Sequence, residues 1–253
     1  MKKSFFALLI ASSLLASCAN PASSSQQFHP VSSSGYSLSV STGPGLSSSG
    51  STARSLYSDS NVSTVTVEVY NTSYTSLGSG TLTRNTTNSN FAGTLSVNAT
   101  GSALVYVFGK NSSSSVIWLG STATTIQSSG TNSITVPTVA AIEATGANGT
   151  VYMTNFTGNG FTVSYLPTQA FNTAPALYAS VGNNSAGLAT SSSALSYSAT
   201  TGFWSVSAGT SASWTTGAQI WVDILLTPTS GSQLNVPQGT LSTGSTWASF
   251  IYP

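Results

Sequence analysis

Alternation constrains this chain more than any other feature. In Thr64-Val65-Thr66-Val67-Glu68-Val69-Tyr70 the valines recur every second residue, which puts them on one face of a strand and Thr66, Glu68 and Tyr70 on the other. Similar runs follow at Gly80-Thr81-Leu82-Thr83, Phe91 to Val97, Ala103 to Phe108, Val116 to Leu119 and Ser133 to Val136. A second group comprises Thr150 to Asn155, Phe161 to Leu166, Ala176 to Val181, Ala194 to Tyr197, Phe203 to Ser207, Gln219 to Thr227 and Trp247 to Tyr252. Turn residues separate the runs at the spacing of an all-β sandwich, and Asn148-Gly149 and Asn159-Gly160 supply positions that accept positive φ. Ser, Thr and Gly are poor helix formers, and beyond the first 20 residues no window keeps a 3.6-residue period. The expected fold is all-β, with two tandem antiparallel sandwich domains over residues 63–138 and 139–253.

The start of the chain is different. Lys2 and Lys3 precede the apolar run Phe5-Phe6-Ala7-Leu8-Leu9-Ile10-Ala11, too short to span a bilayer, and then small residues. That order reads as a secretory signal over residues 1–17. Leu15-Ala16-Ser17-Cys18 resembles a bacterial lipobox, in which the cysteine thiol receives a diacylglycerol. The resemblance implies a mature chain that begins at an acylated Cys18 and is held by two or more fatty chains. The alternative is an ordinary signal peptide with an incidental cysteine. Cys18 is the single cysteine, so lipidation leaves no thiol for disulfides, metals or redox work. Ala19 follows it where an Asp would resemble an inner-membrane retention signal, which points to an outer membrane or cell surface. Residues 18–62, rich in Ser and Gly, read as a disordered tether of roughly 35 to 40 Å. Within it Tyr36-Ser37-Leu38-Ser39-Val40 alternates like a stray strand, and His29 is the single histidine.

Charge narrows the chemistry. Only 4% of residues are charged, although 40% are apolar and mean hydropathy is +0.17, so a core is available while the surface must be built from hydroxyls and amides. Without the signal, Arg54, Arg84 and Lys110 stand against Asp59, Glu68, Glu143 and Asp223. Three scattered cations cannot follow a row of phosphates, which excludes nucleic acid as a partner. Serines are abundant, but no Gly-x-Ser-x-Gly elbow occurs, and His29 stands in the tether. Lys110 beside Asn111 and Ser112 to Ser115 reads as a turn rather than a Ser-Lys dyad. Metals want clustered carboxylates, His or Cys, and no cofactor is expected. A glycan-acting hydrolase needs two of the four acids to converge. Because few groups titrate, the chain also suits an acidic exterior. Eight Asn-x-Ser/Thr sequons occur, at Asn61, Asn71, Asn85, Asn98, Asn111, Asn148, Asn155 and Asn183.

Thr154-Asn155-Phe156-Thr157-Gly158-Asn159-Gly160-Phe161-Thr162-Val163-Ser164-Tyr165 resembles the opening of a fibronectin type III module, with Tyr165 where that family usually carries tryptophan. The resemblance implies an Ig-like sandwich. Val67 to Tyr70, Phe91 to Val97 and Ala103 to Phe108 run parallel to Leu177 to Val181, Phe203 to Ser207 and Gln219 to Ile224, as an internal duplication would. Two functional classes follow. In the first, the chain is a non-enzymatic, membrane-anchored surface module that spaces, adheres or self-associates through sheet edges lacking protective charge, with itself or another envelope protein as partner. In the second it binds polysaccharide: Trp214, in a Ser/Thr/Gly loop, and Trp221 with Asp223, on the outward face of Ile220-Trp221-Val222-Asp223-Ile224-Leu225-Leu226, are the candidate contacts.

Overall fold

The computed structural model describes residues 35–43, 59–87, 90–167, 176–183, 191–227, 234–237 and 247–253. Among them the regular structure is β, apart from one 3-10 turn at Asp59–Asn61. The first half holds β1 (Tyr36–Thr42), β2 (Thr64–Asn71), β3 (Ser76–Arg84), β4 (Phe91–Val97), β5 (Gly101–Lys110), β6 (Val116–Ile126) and β7 (Asn132–Val136). After β8 (Thr138–Gly146), the second half holds β9 (Gly149–Thr157), β10 (Gly160–Tyr165), β11 (Ala176–Gly182), β12 (Ser191–Ala194) and β13 (Ser196–Tyr197). It ends with β14 (Trp204–Thr210), β15 (Gln219–Thr227), β16 (Leu234–Val236) and β17 (Ala248–Ile251). The all-β expectation holds.

Alternation explains the two main cores. Val65, Val67 and Val69 of β2 are fully buried, facing Leu38 and Val40 of β1, Leu95 and Val97 of β4 and Val105 and Val107 of β5. In the second half Val163, Val181, Ile220, Val222, Ile224 and Leu226 gather with Phe156, Phe161, Trp214, Phe250 and Tyr252. Each fully buried aliphatic or aromatic side chain contributes about 1.5–3 kcal/mol by leaving water.

Two separate bodies are not what the hydrogen bonds describe. Twelve strands form one path, β13-β14-β10-β9-β8-β6-β5-β2-β3-β4-β1-β7, beside a sheet ordered β12-β11-β15-β16 with β17 also on β15. The hinge of the path is β8: Thr138, Val139 and Ala140 pair with β6, whereas Ala141 to Gly146 pair with β9. The expected boundary between residues 138 and 139 therefore falls inside a strand shared by both halves. β1 corrects the tether in the same way. It pairs antiparallel with β4 and parallel with β7, and Leu38 and Val40 are each 1% exposed. The remainder of the tether, apart from residues 59–62, and the signal with Cys18, lie outside the described residues.

Six strands of each half follow one plan. β3-β2-β5-β6 are successive antiparallel neighbours, as are β12-β11-β15-β17, while β1 pairs with β4 as β10 pairs with β14. The equivalent strands come in the same chain order. The three parallels noted in the sequence match β2 with β11, β4 with β14 and β5 with β15.

Candidate functional site: an aromatic seam and its cleft

β5 is buried on both faces. Ala103, Val105 and Val107 enter the first core, while Leu104, Tyr106 and Phe108 point the other way into a third cluster with Val116, Leu119, Ala141, Tyr152 and Phe203. This seam joins the halves. Phe203 lies edge-on to Tyr106 with ring centroids 5.3 Å apart and to Tyr152 at 6.2 Å, the arrangement in which aromatic pairs add about 0.5–1.5 kcal/mol to simple burial.

A turn over residues 198–203 is pressed onto the first half. Its chain reverses through Gly202 N–H donating to the Ser198 carbonyl at 2.7 Å, the Ala123 N–H of β6 donates to the Thr200 carbonyl at 2.7 Å, and the Tyr74 hydroxyl donates to the Gly202 carbonyl at 2.8 Å. Gly202 has φ +71°, and a Cβ there would meet the Tyr106 hydroxyl and stand 2.7 Å from Leu104 Cδ1. Only glycine fits.

At the rim of the seam lies a cleft of about 270 Å³ lined by Tyr70, Tyr74, Gly149, Thr150, Tyr152, Leu166 and Pro167. Tyr70 and Tyr74 come from β2 and the loop after it, the remainder from the β8–β9 turn, β9 and the end of β10. Tyr74 holds a left-handed backbone, φ 59°. Asn71 builds that loop: its side-chain oxygen accepts the N–H groups of Ser73 and Thr75, both at 2.9 Å. Glu68, on the face of β2 opposite the valines, is half-buried and accepts the Tyr70 phenol at 2.7 Å. Burial, then the bond and charge of Glu68, push the Tyr70 phenol up to about 12. Burial is also the leading cause that raises Tyr74, Tyr106 and Tyr152, so these phenols stay neutral and protonated at physiological pH. Glu143 on β8 sits in register with Tyr152, accepts the Val116 N–H at 2.7 Å and takes the Thr145 hydroxyl at 3.1 Å. Thr145 in turn lies 3.0 Å from the Thr150 hydroxyl on the cleft wall.

The residues singled out in the sequence do not assemble into one surface. Trp214, expected to be exposed, is 1% exposed. Its ring stands 5.3 Å from that of Phe161, and its indole N–H donates to Asn183 Oδ1 at 2.8 Å. The Ser/Thr/Gly loop folds over the core, so Trp214 has no face to offer a sugar. Trp221 is half-buried on the outward side of β15, opposite the core face of Ile220 and Val222. Asp223, expected on the same outward face as Trp221, is 6% exposed instead. It sits where the ladder on β15 passes from β17, which pairs residues 219–222, to β16, which pairs residues 224–226. Its Oδ2 accepts Asn235 Nδ2 at 3.0 Å, its Oδ1 has no protein partner, and burial pushes the carboxyl up from 3.8 to about 6. Among the described residues no group of three or more His, Cys, Asp or Glu side chains converges as a metal site. No described helix is long and apolar enough to cross a membrane.

No protein-family profile matches the chain. No curated protein matches it either. Among solved structures, a leucine-rich repeat protein from Bacteroides thetaiotaomicron matches with 14% identity and a TM-score of 0.34 over 88% of this chain. The chain spans about a quarter of that protein's length, the matched share being 25%.

Proposed function

We propose that the protein is a non-enzymatic lipoprotein of the bacterial cell envelope, fastened to an outer membrane or cell surface through Cys18, that acts as a spacing, adhesive or self-associating module. The observation that carries the role is the chemistry of the sheet ends. β7, β12, β13, β16 and β17 contain no charged residue, and Leu234 and Ile251 on the last two are exposed. Proteins that must remain apart usually put lysine or proline on such strands.

Each half is read as an Ig-like sandwich, the second of fibronectin type III kind. Supporting this, β9-β10-β14-β13 and β12-β11-β15-β17 follow the A-B-E-D and C-F-G layers of an Ig domain, with β12 added beside C. In the first half β1 to β6 take the places of B, C, C′, E, F and G, and β7 fills the place of A in parallel.

Palmitate labelling and fractionation in a bacterial host test the anchor. The wild-type chain is expected to take up label and sediment with membranes, and Cys18→Ala to do neither; an unlabelled wild-type chain outside the membrane fraction refutes it. Analytical ultracentrifugation of the detergent-solubilised chain tests self-association through the edge. Thr135→Lys, on the exposed side of β7, is expected to lower the average mass, and a wild-type chain that stays monomeric at all concentrations refutes self-association.

A further inference from the structure

We propose that the cleft at the seam is a binding site for a small organic cation, of the quaternary-ammonium or N-methylated-amine class. Three phenol rings, those of Tyr70, Tyr74 and Tyr152, converge on it from both halves, and Leu166 and Pro167 complete an apolar wall. A weakly hydrated cation gains about 0.5–2 kcal/mol against such a ring as water leaves. Negative charge stands behind the rings. Glu68 holds the Tyr70 hydroxyl, and Glu143 adjoins Tyr152 and connects through Thr145 to Thr150. Both carboxylates are near enough to Tyr152 to reinforce burial in keeping its phenol protonated.

The described cations stand away from Glu68. Lys110 pairs with Thr64 at the end of β2 remote from Asn71, roughly 20 Å along the strand at 3.3 Å per residue, and lies in register with Val116, whose N–H Glu143 accepts, so of the two carboxylates it neighbours Glu143. Arg84 lies over the Phe91 ring at 4.7 Å.

The hydrogen-bond pattern favours a cation over a sugar. The Tyr70 hydroxyl already donates to Glu68 and the Tyr74 hydroxyl to the Gly202 carbonyl, so neither phenol has its proton left to donate to a sugar. Tyr74 is fixed in its left-handed conformation by the Asn71 loop and the Gly202 contact. Backbone strain of this kind, about 1–3 kcal/mol, persists where the surroundings over-determine it, and it gathers at ligand clamps.

The test is titration of the full chain in detergent with tetramethylammonium and choline chlorides against sodium chloride, read by calorimetry and by saturation transfer to the N-methyl protons. Saturable binding is expected with Kd on the order of 1 mM. Glu68→Gln is expected to weaken it roughly five-fold with an unchanged melting temperature, and Tyr70→Leu roughly ten-fold. Tyr178→Leu, on an exposed side chain of β11 away from the cleft, is expected to change nothing. Co-flotation with phosphatidylcholine vesicles would identify a lipid head group as the source, and binding of choline without flotation a soluble ligand. No saturation beyond the sodium chloride control, equal affinity in Glu68→Gln, or competition by methyl glucoside would overturn the proposal. Loss of Cys18 lipidation leaves it standing.

Discussion

Three asparagines show how a chain almost without charge organises its turns. Asn111 accepts the N–H groups of Ser113 and Ser115, both at 3.0 Å, and Ser114 takes φ 65°. Asn71 repeats the design with Ser73, Tyr74 and Thr75, and Asn85 accepts the N–H of Thr87 at 2.9 Å. In each turn the residue two positions after the Asn supplies a backbone N–H to its side-chain oxygen, an Asx turn. Sequons at these three positions are thus a by-product of hairpin chemistry. Asn111→Ala is expected to cost about 1–2 kcal/mol in urea denaturation, since two backbone donors lose their acceptor. Asp223 supplies the pH dependence. Its carboxyl ionises near 3.8 when unfolded and near 6 when folded, so the folded state holds the extra proton between those values. Stability from this group is full below pH 4 and falls by up to about 3 kcal/mol as pH rises through 6. Asp223→Asn should match the wild type at pH 3.5 and melt higher at pH 7. A variant that melts lower at pH 7 contradicts that assignment.

At the scale of elements, what could be read from sequence was the run of strands, because burial on one face writes itself as alternation. β4 and β15 match their sequence runs residue for residue. What escaped were relations between distant strands. Tyr36–Thr42 alternates, but its partners β4 and β7 begin some 50 and 90 residues later, and nothing local marks it as core. Ala103 to Phe108 carried an unused signal: an unbroken apolar run is the mark of a strand buried on both faces. Without that run the seam and the cleft beside it have no local mark in the sequence: Tyr70 and Tyr152 stand in strand runs and Tyr74 in the loop after β2. Trp214 misled because its small polar neighbours say nothing about what they fold over. The seam rests on the 198–203 turn, which glycine substitutions can test. Gly202→Ala and Gly209→Ala both place a side chain at positive φ, +71° and +76°, but a Cβ at Gly209 meets nothing within 4 Å. Gly209→Ala should cost about 1 kcal/mol, and Gly202→Ala about 2–4 kcal/mol, the excess measuring the docking. Equal losses in thermal unfolding would contradict a tightly seated turn.

For the whole molecule, the account is of two halves with one strand plan made into a single body. A β8 shared between both ladders and an aromatic seam on the doubly buried β5 make the halves mechanically continuous. That continuity suits the lipid-anchored surface module proposed above. Differential scanning calorimetry of the full chain in detergent tests it most directly. One endotherm is expected, with calorimetric and van't Hoff enthalpies equal, and Gly202→Ala should split it by freeing the seam. Two endotherms in the wild-type chain, each unfolding one half independently, would contradict the single body.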